Sequence, residues 1–199
     1  YDANGSRVGS EFQVNTYTAD NQGFPTITAL ADGSFVISWQ SQGQDGDNDG
    51  IYAQMYYANG SKVGTEARVN AYTADNQGFP AITALADGSI VISWHSEGKD
   101  GDELGVYAQI YDANGSRVGS EFQVNTYTTS YQSFPAITAL ADGGFVISWQ
   151  SQGQDGDNDG IYAQIYDANG SRVDSELQVN TYTTSYQSIP AITALADGF

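Results

Sequence analysis

The sequence predicts an all-β fold of tandem four-stranded antiparallel units, on three observations. The chain repeats itself every 55 residues, each repeat holds four short strand-like runs divided by turn signals, and no stretch carries the i, i+3, i+4, i+7 spacing of an amphipathic helix. The period is read from Tyr1-Asp2-Ala3-Asn4-Gly5, which returns at Tyr56 to Gly60, Tyr111 to Gly115 and Tyr166 to Gly170. All three tryptophans (Trp39, Trp94, Trp149) and all four prolines (Pro25, Pro80, Pro135, Pro190) keep the same spacing. Residues 1–55 and 111–165 differ only at positions 19, 20, 21, 23, 26, 34 and 55. The array divides into repeat 1 (1–55), repeat 2 (56–110), repeat 3 (111–165) and a partial repeat 4 (166–199). Because it opens and closes within a unit, it is expected to be an excerpt of a longer polypeptide or to pair with other copies.

The first strand is predicted at Pro25 to Leu30, rich in Thr and Ile, with Pro tolerated at the strand entrance where its missing N–H is not needed. Asp32-Gly33 then signals a type I′ hairpin. The second strand, Phe35 to Gln40, is the most apolar: Phe35, Ile37 and Trp39 lie on one face and Val36 on the other, so both faces are expected to be buried. A polar loop, Ser41 to Gly50, leads to the third strand, Ile51 to Tyr56. Asn59-Gly60 marks a second hairpin, and the fourth strand, Glu66 to Asn70, ends in a polar link to the next Pro.

Four antiparallel strands in 55 residues, buried on both faces and repeated without helices, fit β-propeller-like blades. A β-solenoid or another β-repeat array is the alternative, but solenoid coils run to roughly 20–30 residues. A string of β-sandwiches would need about 100 residues per domain.

Composition excludes several functions. With no cysteine there is no disulfide framework or thiolate site, and the single histidine, His95, rules out a multi-histidine metal centre from this chain alone. A net charge of −18, from 24 acidic and 6 basic residues, opposes binding to nucleic acid and to anionic membranes. The longest apolar runs are too short to insert in a bilayer. At 40% hydrophobic and 13% aromatic, the chain can still build a core.

The ordered set ADG, SW, IYAQ, DANG and VN, recurring over essentially all 199 residues, resembles a repeat of very large secreted bacterial adhesins and RTX-type, calcium-associated surface proteins. The resemblance implies an extracellular or cell-surface location and a non-enzymatic structural or adhesive role, and it supplies no catalytic residues.

Candidate chemistry centres on the loop between strands two and three. Asp45, Asp47 and Asp49 alternate and are followed by Gly50, and Asp155, Asp157 and Asp159 repeat the pattern before Gly160. This resembles the first half of an EF-hand loop and the calcium loops of integrin-type propellers, which makes Ca²⁺ the expected ion. The sequence departs from both patterns: Ala53 and Tyr56 stand where loop positions 9 and 12 would carry ligands. Repeat 2 keeps Asp100 and Asp102 but has Leu104 in the third place beside Glu103, so it should bind less well. Without the ion, these are acidic turns.

The remaining motifs read more plainly. The Asn-Gly-Ser triplets at Asn4, Asn59, Asn114 and Asn169 match glycosylation sequons, yet the hairpin itself requires Asn-Gly. The tryptophans and Tyr52, Tyr107 and Tyr162 are expected in the core. Exposed aromatic candidates for sugar stacking are Tyr17, Tyr72, Tyr127 and Tyr182, with Tyr131 and Tyr186. His95 stands where other repeats have Gln40 and Gln150 and is expected at the surface. Arg7, Lys62, Arg117 and Arg172 occupy one equivalent position per repeat, so they spread around the array and do not converge as a sialidase site would require. Near-identical repeats suit several equal weak sites better than one asymmetric catalytic site. The expected function is a non-enzymatic structural or adhesive repeat that associates with itself or with further repeats, and the alternative is a multivalent glycan-binding protein.

Overall fold

The computed structural model describes residues 4–7 and 9–195; Tyr1 to Ala3, Val8 and the last four residues, Phe199 among them, lie outside the described residues. Twelve strands form three four-stranded antiparallel sheets, and the described residues contain no helix. Sheet 1 holds β1 (Gln22–Ala29), β2 (Phe35–Gln42), β3 (Asp49–Tyr56) and β4 (Lys62–Arg68), in that spatial order. Sheet 2 repeats it with β5 (Gln77–Ala84), β6 (Ile90–Glu97), β7 (Leu104–Tyr111) and β8 (Arg117–Gln123). Sheet 3 follows with β9 (Gln132–Ala139), β10 (Phe145–Gln152), β11 (Asp159–Tyr166) and β12 (Arg172–Gln178). The sheets straddle the divisions at 55, 110 and 165, because a sequence period has a length but no origin. The first strands, β1, β5 and β9, lie side by side, so the sheets meet along their leading strands and pack face to face.

Both faces of the apolar second strand are used, as the alternation predicts. In the seam between sheets 1 and 2, Val36, Ile51 and Val69 meet Ile90, Ile92 and Trp94. In the next seam, Val91, Val106 and Val124 meet Phe145, Ile147 and Trp149. Trp39, Trp94 and Trp149 are all buried, as are Tyr52, Tyr107 and Tyr162. These periodic aromatics belong to the framework.

Local chemistry moves several boundaries. Pro25 lies inside β1, not at its entrance. The β1–β2 register slips between Gly23 and Thr26, and Phe24 takes a left-handed φ of 50°. The bulge spares Pro25 from donating to the ladder. Phe79, Phe134 and Ile189 repeat this conformation, unusual for bulky residues, at φ 52°, 53° and 55°. The Phe24 ring lies 4.1 Å from that of Phe79, tilted by 35°, and Phe79 meets the edge of Phe134 at 4.7 Å, so ring contacts hold the bulges together.

The hairpins fall where expected but are not type I′. Gly33 donates to Leu30 O at 3.0 Å and Leu30 to Ser34 O at 2.8 Å, with Gly33, and not Asp32, at positive φ. This is a type I turn followed by a left-handed glycine, and Tyr57 to Ser61 repeats it. The fourth strand begins four residues earlier than predicted and stops short of Asn70, which is a clamp. Asn70 accepts from Ile51 N at 2.8 Å and donates to Tyr72 O at 2.8 Å and to Gln77 at 2.9 Å. Asn125 makes the same contacts to Val106, Tyr127 and Gln132.

Candidate functional site: the acidic loops and the seams

The first two of the alternating carboxylates of the β2–β3 loop have separate hydrogen-bond partners. Asp45 closes its own turn, accepting from Asp47 N at 3.4 Å through Oδ1, while its Oδ2 lies over Gly50 and within 3.4 Å of Asn70 Nδ2. A methyl group on Gly50 would stand 2.6 Å from that oxygen, so glycine is required there. Asp100 and Asp155 repeat the arrangement over Gly105 and Gly160, Asp100 also accepting from Gln123 at 2.9 Å.

The middle carboxylate points outward to the next link. Asp47 accepts from Asp75 N at 3.1 Å, Asp102 from Ser130 N at 3.1 Å and Asp157 from Ser185 N at 2.9 Å. Each donor is itself in a left-handed conformation, with φ between 58° and 69°. The middle aspartate therefore pins a strained link residue. Asp49 and Asp159 are not in the loop at all: they begin β3 and β11, paired with Gln42 and Gln152. Burial raises both carboxyls above the ordinary aspartate range, and hydrogen bonds from Gln40 and Gln150 oppose the shift.

Asp45 and Asp47 thus each accept from a backbone N–H, the first in its own turn and the second in the next link. Among the described residues no group of three or more His, Cys, Asp or Glu side chains could hold a metal ion.

A second set of polar residues, missed by sequence reasoning, crosses the seams. Arg117 Nη2 donates to Arg68 O at 3.1 Å and to Val69 O at 2.8 Å, and Arg172 repeats this on Gln123 O and Val124 O at 3.0 and 2.9 Å. Lys62 reaches Val14 O at 3.1 Å. Glu66 accepts from Thr16 N at 2.7 Å, Glu121 from Ala71 N at 2.7 Å and Glu176 from Thr126 N at 2.8 Å. Gln44 and Gln154 donate to Glu66 and Glu176. In sheet 2 Lys99 takes their place, pairs with Glu121 and lies 3.9 Å from the Tyr107 ring centroid, while burial pulls its ammonium down to about 8. One cation and one glutamate per repeat are therefore latches between units. The only sequence signal was their strict period.

His95 is buried, not at the surface. It is 8% exposed, its ring 5.2 Å from Phe79 and 6.2 Å from Phe134, with Nδ1 lacking a partner. Burial pushes the imidazole down to about 4. Of the aromatic candidates, Tyr17, Tyr72 and Tyr127 are half-buried, whereas Tyr131, Tyr182 and Tyr186 are exposed. Asn59 Oδ1 accepts from Ser61 N at 2.9 Å, so that Asn-Gly-Ser triplet serves its turn.

No family model and no curated protein matches the chain. Solved structures resemble it in fold. A Hadza microbial sialidase aligns at 12% identity over 76% of this chain and 36% of its own, with a TM-score of 0.56. An α-L-arabinofuranosidase from Lactobacillus brevis aligns at 11% over 88% of this chain and 59% of its own, TM-score 0.51. An endo-1,4-β-xylanase from Bacteroides thetaiotaomicron aligns at 10% over 84% and 63%, TM-score 0.51. This chain spans less than two thirds of each, and the likeness is one of fold.

Proposed function

We propose that this chain is a non-enzymatic structural or adhesive repeat of an extracellular, cell-surface protein, its sheets serving as β-propeller-like blades that continue onto further copies of themselves. The observation that carries the reading is the fate of equivalent residues. Val69 and Val124, each followed by another sheet, are 1% and 0% exposed, while Val179 in the same position of the last unit is 53% exposed. At the other end Ile27 is 62% exposed, and its counterpart Ile82 is 8%. The two terminal faces are thus the two halves of the seam already used inside the molecule, and joining them head to tail repeats an existing contact. The resemblance to secreted adhesin repeats supports the location. Against catalysis, Asp45, Asp47, Glu66, Glu121, Arg117 and Arg172 are engaged in turns, links and latches.

Sedimentation of the 199-residue chain tests this reading. Association should rise with concentration, and Ile27→Glu or Val179→Glu should abolish it while leaving the fold intact. A chain that stays monomeric at every concentration, or association indifferent to both substitutions, sinks the proposal.

Glycan binding is the second reading, favoured by Tyr131, Tyr182 and Tyr186, which are 42%, 65% and 66% exposed. The fold neighbours also carry carbohydrate-active names. A glycan array on the intact chain decides it.

A further inference from the structure

The seams are built from equivalent residues but are not equally filled. Where the N-terminal segment meets sheet 1, the Tyr56 ring lies between two phenyl rings, Phe12 at 5.3 Å and Phe35 at 5.1 Å, the latter stacked at 10°. In the seam between sheets 2 and 3, Tyr166 lies between Phe122 at 5.5 Å and Phe145 at 4.9 Å, again stacked at 11°. In the seam between sheets 1 and 2, the central ring is Tyr111, but its two neighbours are Ala67 and Ile90. Both phenyl rings are missing. A groove of about 230 Å³ takes their place, lined by Val36, Met55, Ala67, Val69, Ile90 and Tyr111.

The backbone reports the same difference. Beside Gly170, in the filled seam, a Cβ would meet Ile110 Cδ1 at 2.5 Å, whereas beside the equivalent Gly115 there is nothing within 4 Å. No charged side chain lines the groove, and Thr65 and Asn114 bring a hydroxyl and an amide to its lining. Apolar space of this kind binds ligands such as benzene in cavities of roughly 150 Å³.

We propose that the seam between the first two sheets binds a small neutral aromatic molecule: one six-membered ring, lying against Tyr111 as Phe12 lies against Tyr56, with at most one hydroxyl-sized polar group near Thr65 and Asn114. The occupant follows from what the other seams contain, since the space is shaped by omitted phenyl rings. Neutrality follows from the lining and from the net charge of −18, which disfavours an anion. The two substitutions occur together in this seam and leave the Tyr111 ring without the phenyl neighbours that flank Tyr56 and Tyr166.

The chain supplies its own reporter, because its single methionine, Met55, lines the groove. Phenol titrated into the 199-residue chain labelled at the methionine methyl should give a saturable upfield ring-current shift, half-complete at roughly millimolar concentration, as expected for so small a ligand. In Ala67→Phe/Ile90→Phe, which restores both rings, the shift should require at least tenfold more phenol or vanish. Should the double variant fail to fold, Ala67→Leu carries the residue found at the equivalent Leu177 and should weaken binding in the same direction. No saturable shift in the natural sequence, or the same shift in a folded filled variant, overturns the proposal.

Discussion

Replacing His95 with the glutamine of the other repeats should remove a defined part of the pH dependence of stability. The imidazole is pushed from 6.5 down to about 4 by burial, against an opposing pull from Glu97. The native state therefore refuses a proton that the unfolded chain accepts below pH 6.5. Stability is whole above that pH, falls as pH drops through the window, and the loss is complete below about pH 4. At 1.36 kcal/mol per unit, the full loss is about 3 kcal/mol. For a chain of this size that lowers the melting temperature by roughly 10 °C. Urea unfolding of the natural chain and of His95→Gln at pH 7, 5.5 and 4.5 measures it, because the titration of the many shared carboxylates cancels in the difference. The two curves should lie within about 1 kcal/mol at pH 7 and separate steadily below pH 6, the variant becoming the more stable. A difference that stays flat from pH 7 to 4.5 would refute the burial argument.

The other predictions concern the seams and the loops. Arg117→Ala and Arg172→Ala each remove two donors to backbone carbonyls of the preceding sheet and should cost about 1 kcal/mol in denaturant unfolding; no measurable change would mean that the latches are incidental. Calcium and magnesium at equal concentration should raise the melting temperature equally, by screening a net charge of −18, since the loop carboxylates already have separate partners. A calcium-specific rise removed by Asp47→Asn together with Asp157→Asn would show that the loop rearranges around the ion.

Much of the fold was legible because the relevant physics is short-ranged. The alternation through Phe35, Val36, Ile37 and Trp39 marks a strand buried on both faces, and Asp32-Gly33 and Asn59-Gly60 mark the ends of strands. The same dipeptides did not reveal the turn type, because a left-handed glycine serves both a type I′ turn and a type I turn with a bulge. Spacing did not show that Asp45, Asp47 and Asp49 sit differently: Asp45 closes its own turn, Asp47 accepts from the next link and Asp49 begins β3. The latches were illegible for a different reason. Arg117 and Arg172 bond to backbone carbonyls, which every residue has, so no partner side chain betrays them.

The sequence by itself determined the length of the unit, its four strands and the burial of both faces of β2, because repetition and alternation are properties of the chain read along its length. The tertiary structure alone decided where each sheet starts and why Val69 is buried while Val179 is not. It also decided why His95 is enclosed and why the seam between sheets 1 and 2 lacks the rings that flank Tyr56 and Tyr166. Each of those outcomes depends on a neighbour supplied by another repeat. Tyr111 meets Ala67 where Tyr166 meets Phe122, and whether space remains between two sheets depends on the sum of side chains from both, which neither sheet's own sequence contains.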